Sequence, residues 1–81
     1  MRALVVEDNA RIADFVGQGL GQAGFAVDKA PSLEAASDLL AVGQFDLVLL
    51  DLGFPDGDGL TWLRRIRMGG NRVPVLILTA R

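Results

Sequence analysis

The chain contains no cysteine, no histidine and no tyrosine, and Lys29 is its only lysine. Without cysteine there are no disulfides and no thiolate metal sites, which fits a reducing compartment. Without histidine, imidazole acid–base catalysis and histidine-rich metal centres are excluded. Positive charge is not in excess either. Eight basic and 10 acidic residues give a net charge of −2, so the composition marks no nucleic-acid-binding surface. Long hydrophobic runs are missing, and the apolar stretches are far too short to span a membrane. The N-terminal "MRALVVEDN" reaches acids by residue 7 and is no signal peptide. What is present is 51% hydrophobic and 22% charged, a globular composition. A single domain of this size buries roughly 60–65% of its unfolded surface, so its core is marginal.

Apolar runs and helical periods alternate along the chain. "ALVV" (3–6) is a short continuous apolar run, as for a strand buried on both faces. Residues 10–23 place Ile12, Phe15, Val16, Leu20 and Ala23 on one helical face, with Gly24 as a C-terminal stop. Gly17, Gly19 and Gly21 weaken that helix and leave it dependent on tertiary packing. "FAVDKA" (25–30) reads as an edge-like strand broken by Pro31, and Ser32 is placed to cap a second helix carrying Leu33, Ala36, Leu39 and Leu40. "FDLVLL" (45–50) is the most apolar strand and belongs at the sheet centre. Leu60, Leu63 and Ile66 line a third helix, with Asp58 as its N-cap, and "VPVLILTA" (73–80) is a fourth strand. Strands alternating with helices on short connections imply a doubly wound α/β fold with a parallel sheet and right-handed crossovers.

Acids gather where the strands end. Strand one delivers Glu7 and Asp8, strand three delivers Asp51, and strand four delivers the hydroxyl of Thr79. Ligands of open α/β sheets bind outside the carboxyl ends of the strands. A single acid at such a place is an ordinary loop residue. Three acids at two strand ends, one of them closing the most apolar run of the chain, are not a choice that packing would make. If strands one and three are neighbours, the carboxylates converge and need a cation, and a hard ion such as Mg²⁺ suits an all-oxygen set. A carboxylate so placed can attack phosphorus to give an aspartyl phosphate. The turn after Asp51 adds Gly53, with no side chain to hide its carbonyl from a metal, and the constrained Pro55, Gly57 and Gly59.

"VVEDN" (5–9), "LVLLDLGFPDGDGL" (47–60) and "VPVLILTA" (73–80) together resemble the receiver domain of bacterial two-component response regulators. The closest resemblance is to receivers that precede a winged-helix DNA-binding domain. It runs the length of the chain, with "GFAVDKA" as second strand. The acid pair, the Asp-x-x-x-Pro-x-x-x-Gly spacing and the apolar strand ending in Thr-Ala are jointly specific. The resemblance implies a flavodoxin-like sheet of order 2-1-3-4. It implies that Asp51 is the phosphoacceptor, that Asp8 binds Mg²⁺ directly, that Glu7 acts through a water and that Gly53 lends its backbone carbonyl to the metal. Thr79 matches the switch hydroxyl, and Ala80 the residue whose backbone N–H faces the phosphoryl group. Gly53 and Arg81 occupy positions that influence how fast water reaches that group. The implied partner is a sensor histidine kinase in the cytoplasm, and DNA is reached only through a domain absent from this chain.

A family member continues through a helix, a fifth strand bearing an essential lysine and a last helix. Residues 1–81 therefore read as the N-terminal two-thirds of one receiver, and Lys29 matches no family position. The expectation is a phosphoacceptor switch rather than an enzyme. Aspartyl-phosphate phosphatases and phosphotransferases of the haloacid dehalogenase type favour Asp-x-Asp, and this chain has Asp51-Leu52-Gly53. A flavin module needs a phosphate-cradling loop after strand one, where Glu7 and Asp8 repel phosphate. A pure interaction module has no need of the acid trio. Because "VLIL" (75–78) carries no charge, strand 73–80 is also expected to be an exposed edge through which the fragment self-associates.

Overall fold

The computed structural model describes residues 1–78. Its elements are β1 (Arg2–Val6), α1 (Ala10–Gln22), β2 (Ala26–Ala30), α2 (Leu33–Val42), β3 (Leu47–Leu50), β4 (Gly53–Phe54), β5 (Gly57–Asp58), α3 (Gly59–Met68) and β6 (Val75–Ile77). The main sheet has the order β2-β1-β3-β6 with every pairing parallel, so the four expected strands stand in the expected order. β2 lies at an edge, as its mixed polarity requires. The expected strand 73–80 is observed as the shorter β6, and Thr79, Ala80 and Arg81 lie outside the described residues.

Side chains alternate across the sheet. Leu4, Val6, Val48 and Leu50 pack with Leu33 and Ala36 of α2 and Trp62 of α3 in one buried cluster. Ala3, Val5 and Leu49 point the other way, toward α1. All seven of these side chains from β1 and β3 are fully or almost fully buried, which is why these strands read as unbroken apolar runs.

The face of α1 departs from expectation. Its buried residues are Ala13 and Gly17, with Val16 and Leu20 half-buried, while Ile12 and Phe15 are exposed. Small residues let this helix lie close to the sheet. The larger side chains stand on its flank, so the contact stripe is turned from the one that side-chain size alone suggests. In α3 the expected Leu63 and Ile66 do pack against the core, but Trp62 rather than Leu60 is the buried anchor, its indole N–H donating to Ser37 Oγ of α2 at 2.8 Å. Ser32 and Asp58 both cap as expected. Ser32 Oγ accepts from Ala35 N at 3.1 Å, and Asp58 Oδ1 accepts from Leu60 N at 3.3 Å. The turn behind Asp51 is more ordered than expected, since Gly53 pairs with Asp58 and Phe54 with Gly57 as a two-rung antiparallel hairpin.

Candidate functional site

β1 and β3 run side by side with Val6 opposite Leu50. The next residue of each is an acid, so strand register alone brings Glu7 and Asp51 together. The ladder continues through both. Glu7 N donates to Ala30 O at 3.1 Å, and Asp51 N donates to Val6 O at 3.0 Å. Their backbones are therefore as fixed as the sheet itself. Asp51 is 0% exposed and Glu7 2%, whereas Asp8, already past the strand, is exposed. One carboxylate oxygen from each of Glu7, Asp8 and Asp51 lies within 4.8 Å of the others.

Three carboxylates this close, two of them buried, repel one another when charged. The Glu7 carboxyl is pushed up from its ordinary value chiefly by burial. The Asn9 N–H, donating to Glu7 Oε2 at 3.1 Å, opposes that shift, while the neighbouring Asp8 and Asp51 add to it. Glu7 Oε1 is buried and accepts no hydrogen bond from the described residues. A buried carboxylate oxygen with no donor marks a place where a further group belongs. Asp51 is better provided for, with Oδ1 accepting from Leu52 N at 2.8 Å.

Of the expected site residues, Glu7, Asp8 and Asp51 converge. Gly53 sits in β4, exposed, with nothing within 4 Å of where a Cβ would stand, so packing does not demand glycine there. Thr79 and Ala80 are not among the described residues. Lys29, on β2, is held by Asp14 of α1 at 2.7 Å.

Two supporting residues were not anticipated from the sequence. Asn9 caps α1, its Oδ1 accepting from Arg11 N and Ile12 N, while its own N–H holds Glu7. An asparagine just before a helical period is a cap signal, and the sequence carries it at Asn9. Asp56, in the hairpin turn, binds the start of α2, and no local signal announces that partner. Gly59 is required for a different reason: a Cβ there would stand 2.7 Å from the Asp51 carbonyl oxygen. A surface hollow of about 380 Å³ opens between α2 and α3, lined in part by Leu33, Asp38, Asp58 and Trp62 and by none of Glu7, Asp8 and Asp51.

The chain matches the response regulator receiver domain model over residues 3–81. It is 43% identical over 81 residues to the transcriptional regulatory protein TctD of Salmonella typhimurium (strain LT2), and 42% identical over 81 residues to BasR of Escherichia coli (strain K12). Each match covers 100% of this chain and 36% of the relative. The chain thus spans about a third of the length of the curated relatives it matches. Among solved structures it resembles the MaeR response regulator bound to beryllium trifluoride, with TM-score 0.94, 30% identity, and 100% of this chain and 68% of that one covered. It also resembles the response regulator TrrA of Thermotoga maritima in complex with Mg²⁺–BeF, with TM-score 0.91, 32% identity, and 99% and 70% covered.

Proposed function

The chain belongs to the response regulator receiver domain family, and from that premise we propose that it is a phosphoacceptor switch in which Asp51 takes up a phosphoryl group. The observation that supports this most is the burial of Asp51 at the end of a central strand, with carboxylate oxygens of Glu7 and Asp8 within 4.8 Å. An oxygen of Asp51 attacks phosphorus and a new O–P bond forms. The bond from phosphorus to the donor atom breaks, and its electron pair leaves with the donor. That donor is the phosphohistidine of a sensor histidine kinase or the acyl group of a small phosphodonor such as acetyl phosphate. The product stays covalently on the chain, so this is a switch and not a turnover enzyme.

The acid set fits Mg²⁺. Its donors are all oxygen, and among the described residues the buried Glu7 Oε1 lacks a partner that a cation, or a water on one, would supply. Asp8 and Asp51 are assigned as direct ligands, Glu7 as a ligand through water, and Gly53 as a carbonyl donor. When bound, the ion neutralises charge on both the carboxylate and the incoming phosphoryl group. The chain's own residues orient the nucleophile. The β1–β3 ladder fixes the Asp51 backbone, the Leu52 N–H holds Oδ1, and Asn9 holds Glu7. Thr79 as switch hydroxyl and Ala80 as N–H donor rest on their sequence positions after β6.

Among the described residues no helix is long and apolar enough to cross a membrane. With a kinase as phosphodonor the site works in the cytoplasm. The matched relatives are called transcriptional regulatory proteins, and DNA binding as the output of the whole protein follows from that likeness, through a domain other than this one. Acetyl phosphate with Mg²⁺, given to the full-length protein and followed by intact mass and peptide mapping, tests the assignment. One phosphoryl group on Asp51, absent from Asp51→Asn, is the expected result. Undiminished labelling of Asp51→Asn would refute it.

A further inference from the structure

Asp56 is unused by the chemistry above, yet among the described residues it makes the only side-chain hydrogen bonds between the β4–β5 hairpin and α2. Its Oδ1 accepts from Leu33 N at 3.3 Å and its Oδ2 from Glu34 N at 3.1 Å. A helix begins with N–H groups that have no partner within it. In α2 the third of these, Ala35 N, goes to the local cap Ser32, and the first two go to a carboxylate more than twenty positions along the chain. Asp56 therefore joins the segment behind Asp51 to a helix on the sheet's main packed face.

That segment has little else to orient it. A two-rung hairpin is marginal by itself. One end continues from Asp51, and the other returns through Gly59 N, which donates to Leu52 O at 2.8 Å. Phe54 packs against the core, and Gly57 lies against Leu33, where a Cβ would meet Leu33 Cδ1 at 3.2 Å. Those contacts are apolar and tolerate sliding. Gly53 has no packing of its own, and its position follows from its pairing with Asp58. Asp58 ties the far strand of the hairpin to α3, and the two Asp56 hydrogen bonds are the directional restraint that ties it to α2.

We infer that Asp56 is a positioning residue for the metal site: by clamping the hairpin to the first turn of α2 it holds the Gly53 carbonyl in place relative to Glu7, Asp8 and Asp51. This rests on the reading of Gly53 as a metal donor given above. It also makes α2 the helix that feels the site, because anything that draws the Gly53 carbonyl toward a cation pulls on Leu33 and Glu34 through Asp56.

The test is a MgCl₂ titration of the ¹⁵N-labelled full-length protein, read from the backbone amide shifts of residues 7–9 and 51–53, with urea stability measured on the same samples. The variants are Asp56→Ala, Asp56→Asn and Ser32→Ala. Ser32→Ala removes the other cap of α2 without touching the hairpin, so it reports the cost of loosening the helix alone. Loss of groups that orient metal ligands typically weakens binding ten- to a hundredfold, and Asp56→Ala is expected at the lower end, a roughly tenfold rise in the Mg²⁺ Kd. Asp56→Asn, which keeps an acceptor for one amide, should rise less, and Ser32→Ala should match the wild type. If Asp56→Ala does not fold, Asp56→Asn carries the test, and an unchanged Kd in it overturns the inference. So does an equal weakening in Ser32→Ala, which would mean that α2 stability alone is being read. A wild-type chain whose shifts ignore millimolar Mg²⁺ would instead overturn the metal site itself, and the positioning role with it.

Discussion

Gly59→Ala is expected to destabilise the domain, although the usual effect of that change in a helix is the reverse. Gly59 opens α3, and replacing glycine by alanine within a helix normally gains about 0.5–1 kcal/mol. Here a Cβ would stand 2.7 Å from Asp51 O, 3.0 Å from Leu52 Cα and 3.2 Å from Leu52 O. Carbon prefers neighbours at roughly 3.5–4.0 Å, so all three contacts are repulsive. All three are also backbone atoms, one belonging to the residue that closes β3, and none can swing aside as a side-chain tip would. The Gly59 N–H bond to Leu52 O fixes the two segments against each other from the other side. Overpacking of this kind costs about 1–3 kcal/mol. The net expectation is a loss of about 2 kcal/mol, or a urea midpoint lower by about 1–2 M for a domain of this size. Gly19→Ala is the control, because it lies in α1 with nothing within 4 Å of the added carbon, and it should gain about 0.5–1 kcal/mol. Urea unfolding followed by the fluorescence of Trp62, buried at the α2–α3 contact, reads both variants at one protein concentration. A Gly59→Ala chain as stable as the wild type, with an unchanged denaturant slope, would refute the close approach of α3 to the Asp51 backbone.

Two further expectations follow from the site and the sheet edge. Because the folded Glu7 carboxyl holds its proton above the ordinary value of 4.5, the folded state binds a proton that the unfolded chain releases. Glu7's contribution is therefore present below that value and is lost as pH rises through the raised one, so stability falls with pH across that window. Urea midpoints from about pH 4 to 7 should show that slope and Glu7→Gln should flatten it; parallel profiles for the two chains would count against the buried acid. Separately, β6 is hydrogen-bonded only to β3 among the described residues, with Leu76 57% and Ile77 41% exposed, so the 81-residue chain should self-associate through it. Sedimentation at micromolar concentration should show this, with Leu76→Lys restoring a monomer; a monomeric wild-type chain with cooperative unfolding would end the idea.

The parts of this fold that were legible in the sequence are the ones decided locally. Strand and helix periods set the element order, and right-handed crossovers set the layers. Once β1 and β3 are neighbours, the period of a parallel ladder forces Glu7 next to Asp51. The caps Ser32 and Asp58 are likewise short-range, acting within three residues. What stayed hidden depends on how closely elements approach. The sequence offers Ile12 and Phe15 as the inner face of α1, but the sheet takes Ala13 and Gly17, because only small residues let the helix come down. No pattern links Asp56 to Leu33 and Glu34, or Trp62 to Ser37, since both pairs are made by the docking of α2 against its neighbours.

The same division bears on why the acids could be trusted as a site. A sequence that specifies a fold agrees with itself at every level, and disagreement is expected where function imposes it. Asp51 ends the most apolar strand and is wholly buried. Glu7 ends another and leaves one oxygen unsatisfied. Each contradicts the burial rule that its strand otherwise obeys, and burying an acid costs stability. Elsewhere the described charges follow the ordinary rule: Arg2 with Asp28 and Lys29 with Asp14 pair on the surface, where such contacts are worth little and offend nothing. The contrast separates the two kinds of charge without reference to any relative. Surface pairs satisfy themselves, whereas Glu7, Asp8 and Asp51 crowd together at one end of the sheet, where Glu7 Oε1 has no donor among the described residues.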